Sequence, residues 1–123
     1  MKKILVIGKG NVFSSMVHFL SLKNVKESVI VVQYGDRNDL MTNPFLESGK
    51  LREYERVYLF PETMEEGVFF TAHFSEVLDR NLFVVTEDFH SDLTYKKVGA
   101  DYVIIRKPEW KGHTWFPIRE GIL

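Results

Sequence analysis

Ile4-Leu5-Val6-Ile7-Gly8-Lys9-Gly10-Asn11-Val12-Phe13-Ser14-Ser15 decides the reading of this chain. An unbroken apolar run such as Ile4 to Ile7 suits a parallel strand covered on both faces. Gly8 and Gly10 come next, and glycine lets the backbone turn tightly and approach a ligand closely. Asn11 then offers a polar N-cap for a helix in which Val12, Met16, Phe19 and Leu20 recur at helical spacing, with Val17 widening the face. Open α/β folds hold phosphate where a strand, a glycine turn and a helix start meet, because unpaired N–H groups and the positive end of the helix dipole face the ligand. A dinucleotide fingerprint asks for a third glycine at position 13, where this chain has Phe13.

Outward from that stretch, the same alternation continues. Strands are predicted at Lys3–Ile7, Ser28–Gln33, Arg56–Phe60, Leu82–Thr86 and Tyr102–Ile105, each a short apolar or aromatic run closed by turn or polar residues. Between them lie a short helix over Pro44–Leu51, capped by Thr42 or Asn43 and stopped by Gly49, and a longer one over Glu65–Leu78. The latter presents Val68, Phe69, Ala72, Val77 and Leu78 as its inner face. A further helix, Ser91–Val98, is closed by Gly99, and a short tail helix is placed near Trp115–Arg119. Strands alternating with helices imply right-handed crossovers and a parallel sheet. The expected architecture is a single α/β domain: a three-layer αβα sandwich around a five-stranded, mainly parallel sheet.

At 123 residues the chain forms one domain and buries roughly two-thirds of its unfolded surface, enough for one real core. Sixteen basic against 17 acidic residues, with no Lys/Arg run longer than two, argue against a nucleic acid or an anionic membrane as partner. The absence of cysteine excludes disulfides, thiolate metal sites and thiol nucleophiles. The N-terminal apolar run is too short for a signal peptide, and no run approaches the 18 or so residues of a membrane span, so a cytoplasmic protein without direct membrane insertion is expected.

Candidate ligand-binding residues gather at the carboxyl ends of the strands. Gly8, Lys9, Gly10, Asn11 and Val12 would hold phosphate through backbone N–H groups, with Lys9 adding charge. Gln33 stands where a dinucleotide site places the acid that binds ribose, and Tyr34 and Asp36 come after it. The plain alternative is that Gly35-Asp36 makes a turn, with Asp36 or Asp39 capping the next segment. Glu62 closes the third strand; Thr86, Glu87 and Asp88 close the fourth. The carboxylates of Glu62, Glu87 and Asp88 would either complement helix dipoles or hold a hard cation such as Ca²⁺ or Mg²⁺, and the former is favoured. His18, His73, His90 and His113 lack metal-ligand spacing, and no nucleophile elbow or P-loop is present, so no catalytic set emerges. Trp110, Trp115 and Phe116 read as a core lid or a partner surface.

Four short motifs carry a resemblance: Gly8-Lys9-Gly10, Gly35-Asp36-Arg37-Asn38-Asp39, Arg56-Val57-Tyr58-Leu59-Phe60 and Gly99-Ala100-Asp101-Tyr102-Val103-Ile104. Together they resemble the potassium-transport nucleotide-binding (KTN) domains, also called regulator-of-potassium-conductance domains, in a shortened form. The resemblance implies a Rossmann-like, non-catalytic cytosolic sensor that binds NAD(H), ATP or ADP and often pairs with itself as a homodimer. Two departures stand out. The strand–helix unit that the family carries before its Gly-Asp segment is missing, which leaves Gln33 where the ribose-binding acid belongs. Phe13 also replaces the third glycine.

A second resemblance, to response-regulator receiver domains, rests on the five βα units, Thr86, Gly99-Ala100-Asp101 and Lys107-Pro108. Ile7-Gly8-Lys9 and Phe60-Pro61-Glu62 stand where receivers need acids for Mg²⁺ and a phosphoacceptor aspartate. That leaves, as the alternative function, a ligand-free Rossmann-like or pseudo-receiver module that binds a protein partner or itself. Phe13, Trp110, Trp115 and Phe116 would form or border its apolar surface.

Overall fold

The computed structural model describes residues 3–22, 29–36, 38, 42–78, 81–88 and 90–106. The predicted tail helix, Trp110, Trp115, Phe116, His113, Lys107-Pro108, Ser28, Arg37 and Asp39 lie outside the described residues. The strands are β1 (Lys3–Gly8), β2 (Val29–Gln33), β3 (Tyr54–Phe60), β4 (Leu82–Thr86) and β5 (Tyr102–Ile105). The helices are α1 (Asn11–Leu22), α2 (Ser48–Leu51), α3 (Met64–Val77) and α4 (Asp92–Lys97), with a 3₁₀ turn at Pro44–Leu46.

The five strands form one sheet in the order β2-β1-β3-β4-β5, and every pairing is parallel. β1 is central to the topology: Ile4 pairs with Val29 on one side and Arg56 on the other, and Gly8 with Gln33 and Phe60. The chain builds outward from β1 to β2, then crosses back over β1 to start the other half at β3. That reversal opens a crevice at the carboxyl ends of β1 and β3, where ligands of open α/β sheets bind.

Alternate residues of each strand feed two cores. Leu5, Ile7, Val57, Leu59, Leu82 and Val84 pack with Phe70 and Phe74 of α3, Tyr95 of α4 and Leu51 of α2. Ile4, Val6, Tyr58, Phe60 and Val85 pack on the opposite face against Phe13, Met16 and Leu20 of α1. Helices thus cover both faces, as a Rossmann-like three-layer sandwich requires, and each face of a parallel sheet buried this way accounts for the unbroken apolar runs.

The structure corrects several local expectations. β3 begins at Tyr54, two residues before Arg56: Tyr54 pairs with Lys3 and Arg56 with Ile4, so the register shifts by one residue at Glu55, whose charge hides this start in the sequence. The predicted Pro44–Leu51 helix is two pieces, broken at Glu47, whose extended backbone (φ −69°, ψ 154°) cannot continue a helix. Asn43 caps the first piece by accepting the Phe45 N–H at 2.9 Å, and Gly49 lies inside the second rather than ending it. α3 packs the expected Val68, Val77 and Leu78 against the core but centres its inward face on Gly67, Phe70, Thr71 and Phe74, which are buried, and leaves Phe69 exposed. Gly67 permits this because the Tyr95 ring of α4 takes the space a Cβ there would fill.

The end of α4 agrees with expectation. Gly99 adopts φ +120°, its N–H reaches the Lys96 carbonyl at 3.2 Å, and the Ala100 N–H reaches the Tyr95 carbonyl at 3.0 Å, a Schellman motif. Asp101 then accepts the Leu82 N–H through Oδ2 at 2.9 Å and returns its own N–H to the Leu82 carbonyl at 3.0 Å. Gly99-Ala100-Asp101 therefore ends a helix and fastens the start of β4 to β5.

Candidate ligand cleft

The glycine turn between β1 and α1 is tied to β3 by the Lys9 N–H, which donates to the Phe60 carbonyl at 3.1 Å. Gly10 is next, at φ +95°, a backbone state that glycine reaches without steric cost. The Ser14 N–H closes the first turn of α1 onto the Gly10 carbonyl at 2.9 Å. Gly10 is therefore the N-cap, and Asn11, expected there, occupies the first helical position. The N–H groups of Asn11, Val12 and Phe13 precede the first intrahelical bond and form the free end of the helix.

Gly8 and Phe13 make a pair that the fingerprint does not anticipate. A Cβ on Gly8 would stand 2.6 Å from Phe13 Cδ1, and equally close to Phe60 Cβ and the Phe60 carbonyl oxygen. Phe13 is buried, its ring 6.2 Å from that of Phe60. The bulky residue at position 13 neither pushes α1 off the sheet nor crosses the mouth of the turn, since it uses the bare side of Gly8 as its seat. It is thereby removed from the exposed apolar surface that the interaction-module reading gave it.

A cleft of about 390 Å³ opens beside the turn. Lys9, Gly10, Asn11 and Val12 form one wall, Phe60, Pro61 and Glu62 from the end of β3 the next, and Val85, Thr86, Glu87 and Asp88 from the end of β4 the third. Of the sequence candidates, Lys9, Gly10, Asn11, Val12, Glu62, Thr86 and Glu87 come together here. Gly8, Gln33, Tyr34 and Asp36 do not line it. The space lies on the β3–β4 side of the turn, away from β2.

The residues after β2 are engaged in structure. Tyr34 is buried; its hydroxyl donates to Glu66 Oε1 and accepts the Glu62 N–H, both at 3.0 Å. Burial raises its phenol above the usual tyrosine value, and the nearby Glu66 and Glu62 carboxylates push the same way, against the opposing effect of the Glu62 N–H. Asp36 accepts the Asn38 N–H at 2.8 Å, the turn geometry that its sequence allowed. Gln33 is exposed at the end of β2.

Charge in the cleft is paired internally. The Lys9 ammonium donates to the Gly35 carbonyl at 3.0 Å, lies 3.6 Å from Glu62 and 4.0 Å from Glu66, and sits 5.7 Å from the centre of the Tyr34 ring. Glu87 is held by Arg106 at 2.6 Å, and the Arg106 backbone N–H donates to the Thr86 carbonyl at 2.8 Å. Asp88 accepts the His90 N–H at 2.9 Å while its carbonyl takes the Ser91 hydroxyl at 2.6 Å. Among the described residues no group of three or more His, Cys, Asp or Glu side chains converges as metal ligands. Glu62, Glu87 and Asp88 thus do not assemble the hard-cation site that their positions in the sequence allowed, because each is drawn to a different partner.

Glu66 and Arg106 are the site residues that sequence reading missed. Thr63-x-x-Glu66 carries a capping signature, and Thr63 does cap α3 by accepting the Glu66 N–H at 3.2 Å. The Glu66 carboxylate accepts the Thr63 hydroxyl at 3.4 Å and, more closely, the Tyr34 hydroxyl at 3.0 Å, a contact 32 residues away in sequence.

Comparison with protein-family models, with curated proteins and with solved structures returned no match. Among the described residues no helix is long and apolar enough to cross a membrane.

Proposed function

We propose that this domain is a non-catalytic nucleotide-binding regulatory module, whose ligand places a phosphate on the Gly8–Val12 turn and its remainder in the cleft beside it. The observation that carries this reading is the position of the cleft: it adjoins the free end of α1 at the point where strand order reverses, and the ends of β3 and β4 wall it. Its volume of about 390 Å³ is near the lower end for small-molecule sites, which favours ATP or ADP over the longer NAD(H). The absence of an acid at the end of β2 points the same way, since that acid serves the ribose of a dinucleotide. A cytosolic sensor of potassium transport that pairs with itself is the role the motif resemblance suggests.

A thermal-melt series with ATP, ADP, NAD⁺ and NADH tests this. Ligand at about 100 times its dissociation constant adds ~2.7 kcal/mol, a rise in melting temperature on the order of 10 °C. Unchanged melting with all four at millimolar concentration rejects the reading.

A second reading, a protein-interaction or pseudo-receiver module on the same scaffold, draws support from β5. Tyr102 is 51% exposed, and its ring stacks 4.7 Å from that of Phe83, which stacks 4.6 Å from Tyr58. Such an aromatic ladder with an open end is the chemistry of an interface anchor. Light scattering of the wild type and of Tyr102→Ser separates the two: a monomer in both, with nucleotide binding intact, removes this alternative.

A further inference from the structure

We infer that Glu62 is an internal competitor for the anion position of the glycine turn, so that a phosphate-bearing ligand enters the cleft by displacing its carboxylate. The inference rests on the proposed nucleotide reading and names the regulation of that site. Glu62 leaves β3 just after Pro61, and its backbone N–H is fixed by the Tyr34 hydroxyl at 3.0 Å. From there the side chain lies beside Gly10 and Lys9. A methyl group built on Gly10 would lie 3.4 Å from both Glu62 Cγ and Oε2. The other carboxylate oxygen is 3.6 Å from the Lys9 ammonium. The turn that offers N–H groups and a cation to an anion therefore already faces one, supplied by the chain itself.

Elementary electrostatics has two consequences here. A phosphate and a carboxylate compete for this position, because like charges a few ångströms apart repel even where solvent partly screens them. Lys9 is also spoken for, with the Gly35 carbonyl at 3.0 Å and the Glu62 and Glu66 carboxylates nearby. Displacing Glu62 removes the repulsion and one of the two carboxylates that hold Lys9. The side chain is suited to move, being 46% exposed and tethered, among the described residues, by a single ion pair, while the backbone N–H keeps residue 62 in place. Glu87 is the informative contrast. It lines the same cleft with the same charge, but Arg106 holds it at 2.6 Å.

The experiment measures ADP binding by calorimetry for the wild type, Glu62→Gln and Glu53→Gln, with melting curves confirming that both variants fold; Glu53 carries the same charge but pairs with Lys3 at the amino end of β3, outside the cleft lining. Glu62→Gln is expected to tighten ADP about tenfold or more, and Glu53→Gln to change it less than about threefold. ADP binding by the wild type with no gain in Glu62→Gln overturns the inference and leaves the ligand reading standing. An equal gain in both variants also overturns it, since that is a general charge effect rather than occupancy of the turn. No binding of ADP, ATP or NAD(H) by wild type or Glu62→Gln overturns both.

Discussion

The Phe13 ring occupies the space that a side chain on Gly8 would need, with Phe13 Cδ1 2.6 Å from the position of the missing Cβ. The first glycine of the turn is therefore a packing residue, and the residue that breaks the dinucleotide fingerprint is the one it accommodates. Gly8→Ala would also press on the Phe60 carbonyl oxygen at 2.6 Å, which is backbone and cannot step aside. The expected cost is about 2–3 kcal/mol, a fall in melting temperature of roughly 5–10 °C. The double variant Gly8→Ala/Phe13→Leu recovers little of it. Full recovery would show that Phe13 alone sets the constraint.

Tyr34 sets a pH limit. Burial raises its phenol above the ordinary tyrosine value of 10.0, and burial likewise raises Tyr54 and Tyr58 and pushes Tyr95 up to about 12, where Asp88 adds to the shift. The folded state thus keeps protons that the unfolded chain releases above its own phenol value. Stability from these groups is complete below about pH 10 and falls as pH climbs through the raised values. Tyr34→Phe leaves the Glu62 N–H and the Glu66 carboxylate without their shared partner and costs about 1–2 kcal/mol at neutral pH. Its decline above pH 10 is shallower than that of the wild type. Urea melts between pH 7 and 11.5 measure both, and parallel curves would contradict the role of Tyr34.

Asp101 belongs to the motif that supports both family resemblances, and its work is structural. Its carboxylate accepts the Leu82 N–H at 2.9 Å where β4 begins. Asp101→Ala is expected to cost about 1–2 kcal/mol and to speed exchange of the Leu82 amide, while Asp101→Asn, which keeps an acceptor oxygen, loses less. Nucleotide binding is unchanged in both, because residue 101 lies outside the cleft lining. A loss of ligand affinity in a folded Asp101→Asn would show that the motif does more than fasten strands.

The sheet was legible in the sequence because strands buried on both faces leave unbroken apolar runs, and Ile4 to Ile7 is the clearest of them. α3 was legible only in part: Val68, Val77 and Leu78 do pack on the core, but Phe69, Phe70 and Phe74 spread apolar residues around the helix and hid which of them points inward. Gly67, which has no side chain to signal packing, selects the inward face by admitting Tyr95. The glycine turn and the walls at Glu62, Thr86 and Glu87 arise from strand ends and topology, so local reading reached them. The destinations of Lys9 and Tyr34 depend on Glu66, more than 30 residues away, and no local pattern encodes such a contact. Motif spacing also misled at Asn11, where the positive φ of Gly10 moves the N-cap back by one residue.

Arg106 balances the far wall of the cleft. Its guanidinium holds Glu87 at 2.6 Å, with the arginine side chain 16% and the glutamate 41% exposed. Removing the arginine leaves Glu87 as an uncompensated carboxylate beside the space assigned to an anionic ligand. Solvent reaches Glu87, so the stability cost of Arg106→Gln is modest, about 0.5–1 kcal/mol. The effect on ligand runs opposite to that of Glu62→Gln: ADP affinity falls, by about three- to tenfold at low salt, and the difference narrows as ionic strength rises. Restoring neutrality with Arg106→Gln/Glu87→Gln returns affinity close to the wild-type value. Calorimetry at roughly 20 and 300 mM salt reads all three, and an affinity that ignores Arg106 would place the ligand away from the β4 wall.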